Sequence, residues 1–264
     1  MLSGYARNEW GAALVVGFML TAAAAVVGWW WLALPLVLLT AAVVLFFRDP
    51  QRRPPAQRGV FVAPADGRVS SVHTVDHFEP LGGPALCVRI FLSVFDVHVN
   101  RSPCHGVVSS ITHSDGQHLS ALNPQSAEVN QSTMMVLVHP IKRHPIAAVR
   151  QVAGQFARTI VNAAEVDATL QRGQRFGIIK LGSTTELYVP ATLDPKPAVT
   201  QGQRVIGGVT VVVTVHTTRD EWEGAAQRGA DAAPPPAEDA GDTTPEHADA
   251  PPQPAPEDPA ATAS

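Results

Sequence analysis

The feature that most constrains this chain is a run of 38 residues without a charged side chain, Trp10–Phe47. As one helix it would be about 57 Å long at 1.5 Å per residue, whereas one membrane crossing needs roughly 20 residues. Residues 1–47 are therefore predicted to be a membrane-anchoring segment of two helices. The break should fall near Gly28 and the three tryptophans after it, because aromatic rings favour the membrane interface. A single tilted span or a signal anchor is the alternative.

Basic residues flank this segment on both sides. Arg7 precedes it, and Arg48, Arg52 and Arg53 follow it. Because the ends of membrane helices that carry positive charge stay in the cytoplasm, both ends are predicted to lie there. Residues 48–58, a Pro/Arg linker, would then hold the next domain at the cell membrane, on its cytoplasmic side.

Residues 59–222 consist mostly of short runs rich in Val and Ile and bounded by Gly, Pro, Asn or Asp, which is typical of strands. Segment 146–161 is ambiguous, since helical spacing of its apolar residues competes with its β-branched content. A GQR sequence occurs at Gly173 and again at Gly202, which indicates two related hairpins. The predicted fold is mainly β (α+β), with a compact β sandwich or barrel-like domain after the transmembrane helical hairpin.

The formal net charge of −4 is unevenly distributed. Residues 230–264 carry eight carboxylates and no Lys or Arg, so the other 229 residues carry a net charge of +4. Residues 223–264 contain almost no large apolar side chains and are predicted to be a disordered acidic, Pro/Ala-rich tail. The mildly basic body suits an anionic surface better than nucleic acid. Cys87 and Cys104 are expected to be reduced thiols.

Three stretches contain groups suited to chemistry. In the LGST sequence, Gly182 permits unusual backbone angles and an uncrowded carbonyl, and Ser183 adds a hydroxyl one residue later. Asp66 belongs to an Asp-Gly turn, where a solvated carboxylate is usual. His98 and Arg101 lie in DVHVNR, where an apolar strand runs into a polar cluster. Taken singly, these stretches are also compatible with a hairpin turn, a surface turn and a structural histidine.

Together the three stretches resemble the phosphatidylserine decarboxylase family, in its shorter proenzyme form. The resemblance covers roughly Phe46 to His216 and consists of RDPQRRPP, APADGRV, IFLSVFDVHVNRSPCHG, RQVAGQFART, GQRFGIIKLGST and ELYVP, in the family's order. LGST is a weak motif by itself, whereas the ordered set is specific.

The resemblance implies autocatalytic cleavage between Gly182 and Ser183. This would give a β chain of residues 1–182 and an α chain of residues 183–264, which remain associated as a heterodimer. The Ser183 hydroxyl would attack the Gly182 carbonyl, and Ser183 would end as an N-terminal pyruvoyl group, the covalent cofactor.

The resemblance also implies an Asp-His-Ser triad, in which His98 removes the Ser183 proton and Asp66 orients the imidazole. Longer members of the family carry a second histidine three residues after the first, where this chain has Arg101. Whether His98 serves both maturation and turnover therefore stays open. Arg101 is a candidate for binding the substrate's phosphate or carboxylate, and a structural ion pair with Asp96 is the alternative.

The implied reaction converts phosphatidylserine in the membrane to phosphatidylethanolamine and CO₂, for phospholipid biosynthesis. The pyruvoyl ketone would take the serine amine and accept the electrons that decarboxylation releases, and His98 would protonate the carbon left behind. No metal is expected, because His139 and His144 lack helical ligand spacing and a Cys or Glu partner. No nucleic acid is expected as a partner.

Three other functions compete with this one. They are decarboxylation of a soluble amino acid, action on another serine phospholipid, and a membrane-tethered β module similar to lipoyl or biotinyl carrier domains. The uncharged N-terminal segment opposes the first, and the carrier module requires an uncleaved chain. Because every motif with chemical meaning lies beyond residue 60, a chain beginning near Val60 is predicted to cleave itself still.

Overall fold

A computed structural model of the chain describes residues 2–117, 119, 129–154, 159–180 and 183–216. Over these residues the architecture is mainly β, with a helical hairpin at the N-terminus and a curled antiparallel sheet behind it, as the sequence predicts. The predicted acidic tail, residues 223–264, lies outside the described residues, so its disorder stays a prediction.

The N-terminal segment forms two helices, α1 (Arg7–Val26) and α2 (Trp30–Phe46), with Gly28 at φ +84° between them. Both helices are apolar on all sides; Phe18, for example, is 74% exposed. Within the described part of the chain, Gly4–Val26 is the one helical stretch both long and apolar enough to cross a membrane, and α2 is a shorter apolar helix. The predicted break near Gly28 is confirmed.

The two helices pack closely against each other, and the start of the N-terminal segment meets the end of α2. A Cβ atom at Gly17 would lie 2.1 Å from Thr40 Oγ1, so a glycine is required at this contact. At the base of the hairpin, the Ser3 N–H donates to the Phe47 carbonyl at 2.8 Å. Both ends of the hairpin therefore lie on the same side, which is the side of the β domain.

Fourteen strands are found in the described residues. Their bounds are β1 (Val60–Val62), β2 (Gly67–Phe78), β3 (Gly83–Leu92), β4 (Val99–Arg101), β5 (Gly106–Ser114), β6 (Ser132–Val138), β7 (Pro145–Val152), β8 (Ile160–Asn162), β9 (Thr169–Leu170), β10 (Arg175–Ile179), β11 (Ser183–Pro190), β12 (Pro195–Pro197), β13 (Arg204–Val205) and β14 (Val211–Val215). They form one eight-stranded sheet, β13-β2-β3-β11-β7-β6-β5-β9, and two three-stranded sheets, β1-β14-β12 and β4-β10-β8.

Strand β11 lies in the middle of the large sheet, and all eight of its residues are buried. Ser183 lies opposite Leu92 of β3, and Thr184 lies opposite Val152 of β7. The ambiguous segment begins as a strand, β7, which pairs with β11 and β6 along its two edges and has buried residues on both faces. This pairing and burial outweigh the local helical spacing. The main core draws side chains from all three sheets, including Phe61 and Phe176.

The two GQR sequences form the same turn. Gly173 and Gly202 have φ of +77° and +86°. The side chains of Gln174 and Gln203 each accept a hydrogen bond from the backbone N–H three residues earlier, at 2.8 and 3.1 Å. The prediction of two hairpins is wrong in one respect: each turn joins strands of different sheets, β9 to β10 and β12 to β13, and so makes a corner.

Candidate active site

One end of the large sheet gathers the segments predicted to carry chemistry. Strand β11 begins there with Ser183, and β3 ends there with Leu92, its direct neighbour. The loop after Leu92 leads to His98, and β2 begins at the same end with Gly67, directly after Asp66. The antiparallel topology therefore brings Asp66, His98 and Ser183 to one end of the sheet.

Ser183 is completely buried, and its hydroxyl has no hydrogen-bond partner among the described residues. Leaving a buried hydroxyl unpaired costs about 1–3 kcal/mol, so an orphaned group of this kind calls for a reason. The Thr184 hydroxyl is equally unpaired, but neighbouring strand residues point to opposite faces of the sheet. A role in attacking a neighbouring carbonyl would account for the unpaired, buried hydroxyl of Ser183.

His98 is 1% exposed, and its Nδ1 lies 2.9 Å from the Asp96 carbonyl oxygen. Because a carbonyl only accepts, Nδ1 carries the proton and Nε2 carries the lone pair. Nε2 is buried without a partner in the described structure. Burial lowers the pKa of His98 to about 4, against smaller opposing effects of Asp96 and Asp66. The imidazole is therefore neutral at pH 7, with a free acceptor, which a general base requires.

Backbone contacts limit the separation of His98 and Ser183. The Ile179 N–H donates to the His98 carbonyl at 3.2 Å, next to the pairing of β4 with β10. Ser183 follows Ile179 by four residues, a span of at most about 14 Å in a fully extended chain. Gly182, on the other side of the predicted cleavage bond, lies outside the described residues.

Asp66 is held by the linker. Both terminal nitrogens of Arg52 donate to the Asp66 carboxylate, and the distance from Nη2 to Oδ2 is 2.7 Å. The Gly207 N–H also donates to Asp66 Oδ1, at 2.8 Å. The sequence predicts that Asp66 orients the imidazole, but the observed partner of His98 Nδ1 is the Asp96 carbonyl. In this arrangement Asp66 acts on His98 through its negative charge.

Arg101 is 3% exposed and also contacts the linker. Its guanidinium pairs with Asp49 at 2.8 Å and donates to two backbone carbonyls at 2.9 and 3.0 Å. The alternative partner, Asp96, instead pairs with Arg204 at 2.8 Å. Substrate binding by Arg101 stays a prediction, since the partners observed here give it a structural role.

The Asp49–Arg101 pair leads to a stability prediction. Asp49 is 5% exposed and also pairs with Arg175 at 2.5 Å, so Asp49→Ala leaves the buried Arg101 uncompensated. We expect a loss of about 3–5 kcal/mol in the free energy of unfolding, measured by denaturant titration in detergent. Lys196→Ala, which breaks the exposed pair with Asp194, is the control and should cost less than about 1 kcal/mol. Equal losses for the two variants would contradict this role of Asp49.

A network of amide side chains that no sequence motif indicates lines the same end of the sheet; Asn100 and Gln151 are buried and Asn162 is half-buried. Asn100 donates to Thr185 Oγ1 at 3.1 Å, Gln151 donates to Asn100 Oδ1 at 2.8 Å, and Asn162 donates to Gln151 Oε1 at 3.3 Å. Thr185 and Ser183 share one face of β11. In the sequence, such a network is indicated by a polar residue inside a strand-like apolar run, as at Gln151.

The helical hairpin forms one wall of the site. The ring of Phe46, the last residue of α2, lies 4.3 Å from the His98 ring between centroids. Glu9 of α1 pairs with Lys180, three residues before Ser183. A small apolar cluster joins the two parts and contains Ala6, Phe47, Val97, Val99 and Ile178. These contacts disagree with the expectation that the N-terminal segment only anchors.

The remaining candidate ligands show no metal arrangement. In the part of the chain that the structure describes, no group of three or more His, Cys, Asp or Glu side chains is placed to hold a metal ion. Cys87 and Cys104 are free and buried, and burial raises the pKa of each thiol to about 12. Both cysteines are thus unreactive at neutral pH.

The fold and the site define a β protein with a membrane-type helical hairpin, which buries a serine and a neutral histidine at one end of its sheet. The family model described as phosphatidylserine decarboxylase matches residues 39–213. The chain belongs to the phosphatidylserine decarboxylase family.

Individual relatives agree with this assignment. The phosphatidylserine decarboxylase proenzyme of Symbiobacterium thermophilum is 45% identical over 165 residues, which cover 62% of this chain and 75% of the relative. The proenzyme of Gluconacetobacter diazotrophicus is 42% identical over 168 residues, covering 62% and 73%. That of Rhodococcus opacus is 43% identical over 170 residues, covering 62% and 69%.

Proposed function

We propose that this chain is a proenzyme that cleaves itself between Gly182 and Ser183 and then converts phosphatidylserine to phosphatidylethanolamine and CO₂. The observation that carries the proposal is the pair of orphaned buried atoms, Ser183 Oγ and His98 Nε2, at one end of the sheet. The relatives' name, phosphatidylserine decarboxylase proenzyme, supports both the processing and the reaction.

In the proposed maturation, His98 Nε2 takes the Ser183 hydroxyl proton as Oγ attacks the Gly182 carbonyl. The peptide bond becomes an ester and frees the Ser183 amine. Removal of the Ser183 Cα proton then breaks the Cβ–Oγ bond, so that Gly182 leaves as a carboxylate and a dehydroalanine remains. Its imine tautomer takes up water and releases ammonia, which leaves the pyruvoyl group.

Two neighbours favour the charged imidazole that forms when His98 takes a proton. The Asp96 carbonyl accepts from Nδ1–H and fixes the ring, and the negative charge of Asp66 stabilises the cation. Arg52 holds the Asp66 carboxylate in place. In the proposed triad, the Asp96 carbonyl thus orients the imidazole, and the Asp66 carboxylate supplies the negative charge.

The position of Ser183 suits a pyruvoyl group, because pairing with β3 and β7 would hold the new N-terminus of β11 in place. When formed, the group supplies a ketone that takes the substrate amine and accepts the electrons released with CO₂. His98 Nε2, a free acceptor, would take up a proton that the substrate amine releases and return it to the substrate Cα. Phe46 covers the imidazole and limits its access to water.

The sheet topology supports a stable pair of chains after cleavage. The α chain would begin with β11, which pairs with β3 and β7 of the β chain. Its later strands β13 and β14 pair with β2 and β1, also from the β chain. Cleavage at one strand end therefore leaves the hydrogen-bonded sheets intact, and the chains would separate only on unfolding.

The hairpin suits a substrate that stays in the bilayer. Both of its ends lie beside the candidate site, which would place Ser183 and His98 at the level of the lipid headgroups. Anchoring raises the effective concentration of a membrane-held substrate. The basic residues at both ends place this site on the cytoplasmic side in our proposal.

Self-cleavage is expected to keep its rate in mild acid. An ordinary histidine, with a pKa near 6.5, would lose about tenfold of its neutral form between pH 7.5 and 5.5. The lowered pKa of His98, about 4, keeps the base neutral throughout this range, and the base is lost only as pH falls through 4. Newly synthesised chain, followed on denaturing gels, should therefore mature at similar rates at pH 7.5 and 5.5. A tenfold slower rate at pH 5.5 would contradict the role of His98.

The substrate is tested with carboxyl-labelled phosphatidylserine in mixed micelles and with free labelled serine. We expect CO₂ from the lipid alone. Release from free serine at a comparable rate would favour a decarboxylase of soluble amino acids. A carrier-like module would remain a single chain and release CO₂ from neither.

A further inference from the structure

We propose that the turn between β3 and β4, residues 93–96, enters the lipid interface beside the helical hairpin and forms a second membrane contact of this protein. The turn places two large apolar side chains at the surface. Phe95 is 81% exposed and Val94 is 43% exposed. Such a contact follows from the geometry of the turn, whether or not the proposed reaction takes place.

The turn lies at the level of the headgroups. Arg48 is the first charged residue after the uncharged segment and therefore marks the membrane interface at the base of the hairpin. Its guanidinium donates to the carbonyl of Leu45 in α2 and to the carbonyl of Phe95. The backbone of Phe95 is thus one hydrogen bond away from the end of the membrane segment.

The turn is held in shape by its own polar groups. The Asp96 carboxylate accepts from the Ser93 N–H at 2.9 Å and from the Ser93 hydroxyl at 2.7 Å. Its other oxygen pairs with Arg204 at 2.8 Å, and the Asp96 N–H donates back to the Ser93 carbonyl at 3.0 Å. Val94 and Phe95 are adjacent on this braced turn and form one exposed apolar patch, and contiguous exposed apolar patches mark interaction sites.

The surroundings favour a lipid surface as the partner. Arg204 lies opposite Arg68 where β13 pairs with β2, at this same end of the sheet, and both are exposed. Arg48, which donates to the Phe95 carbonyl, adds a third positive charge. Aromatic side chains favour the membrane interface, and arginines beside them attract anionic headgroups. Direct continuity with the membrane hairpin favours the bilayer over another protein.

This contact would also set the depth of the candidate site. His98 follows Asp96 by two residues, and its Nδ1 is bonded to the Asp96 carbonyl. A turn seated in the interface therefore holds the imidazole at a fixed distance from the headgroups. On the side that faces the helical hairpin, the His98 ring packs against Phe46.

The test uses the full chain in vesicles of phosphatidylserine and phosphatidylcholine. Phe95→Cys is labelled with an environment-sensitive maleimide; the native cysteines are buried, with pKa values raised to about 12, and should not react. Ile141→Cys is the matched control, because Ile141 is 54% exposed and lies in the β6–β7 turn, at the opposite end of the sheet. Quenching is measured with aqueous iodide and with lipids that carry a nitroxide on the acyl chain.

We expect the label at 95 to be shielded from iodide several-fold relative to the label at 141, and to be quenched by the nitroxide lipid. Equal access of iodide to the two labels would overturn the proposal. A label at 95 that is shielded from iodide and is not quenched by the lipid would assign the turn to a protein contact, which also overturns it. Neither measurement requires activity, so a failure here is distinct from a failure of the proposed function.

Discussion

Ser183→Ala is expected to yield a single uncleaved chain of 264 residues, with no decarboxylase activity and no reaction with hydrazines. The proposed maturation consumes the Ser183 hydroxyl, first as the nucleophile and then as the leaving oxygen, and an alanine offers neither. Removing the orphaned hydroxyl should leave the fold intact, because no described partner loses a hydrogen bond. Denaturing gels and carbonyl labelling measure the outcome.

Thr184→Ala is the matched control for this variant. The Thr184 hydroxyl is as buried and as unpaired as that of Ser183, but it lies on the other face of β11. We expect the Thr184→Ala chain still to cleave. A Ser183→Ala chain that separated into residues 1–182 and 183–264, or that released CO₂ from phosphatidylserine, would contradict the mechanism.

A chain that begins at Val60 is the second variant with a large expected effect, and we expect it to fail to cleave. It lacks Phe46, which covers His98, and Arg52, which holds Asp66. It also lacks Asp49, so the buried Arg101 loses its ion-pair partner, at a cost of about 3–5 kcal/mol. A loss of that size is a large part of the stability of a typical domain. This expectation replaces the one drawn from the motifs alone.

A chain that begins at Phe46 separates anchoring from these contacts. It lacks both membrane helices except for the last residue of α2 but keeps Phe46, Asp49 and Arg52. In detergent it should cleave measurably faster than the chain that begins at Val60, with the two compared by gel after equal times. Full self-cleavage of the chain that begins at Val60 would show that the N-terminal segment and the linker only anchor.

Much of the fold is predictable because its signals are local. The absence of charge over Trp10–Phe47 gives the helical hairpin, and Gly28 gives its break. Runs of Val and Ile between turn residues give the strands, including those around β11. The GQR turns are found from sequence, but their strands belong to different sheets, because strand pairing depends on partners distant in the chain.

The candidate site is predictable in its residue types and less so in its contacts. Ser183, His98 and Asp66 lie at one end of the sheet, as the motifs suggest. The acceptor for His98 is a backbone carbonyl, which no side-chain motif indicates. The contact of Phe46 with His98 joins residues 52 positions apart, and neither periodicity nor spacing reports on such a pair.

Self-cleavage at Ser183 is tested by the intact mass of the purified protein under denaturing conditions. We expect two chains, residues 1–182 and 183–264, with the second lighter by one ammonia than a chain that begins with an unmodified Ser183. Reduction of the ketone with borohydride should shift the mass of the second chain alone. A single chain of 264 residues in protein that decarboxylates phosphatidylserine would contradict the account.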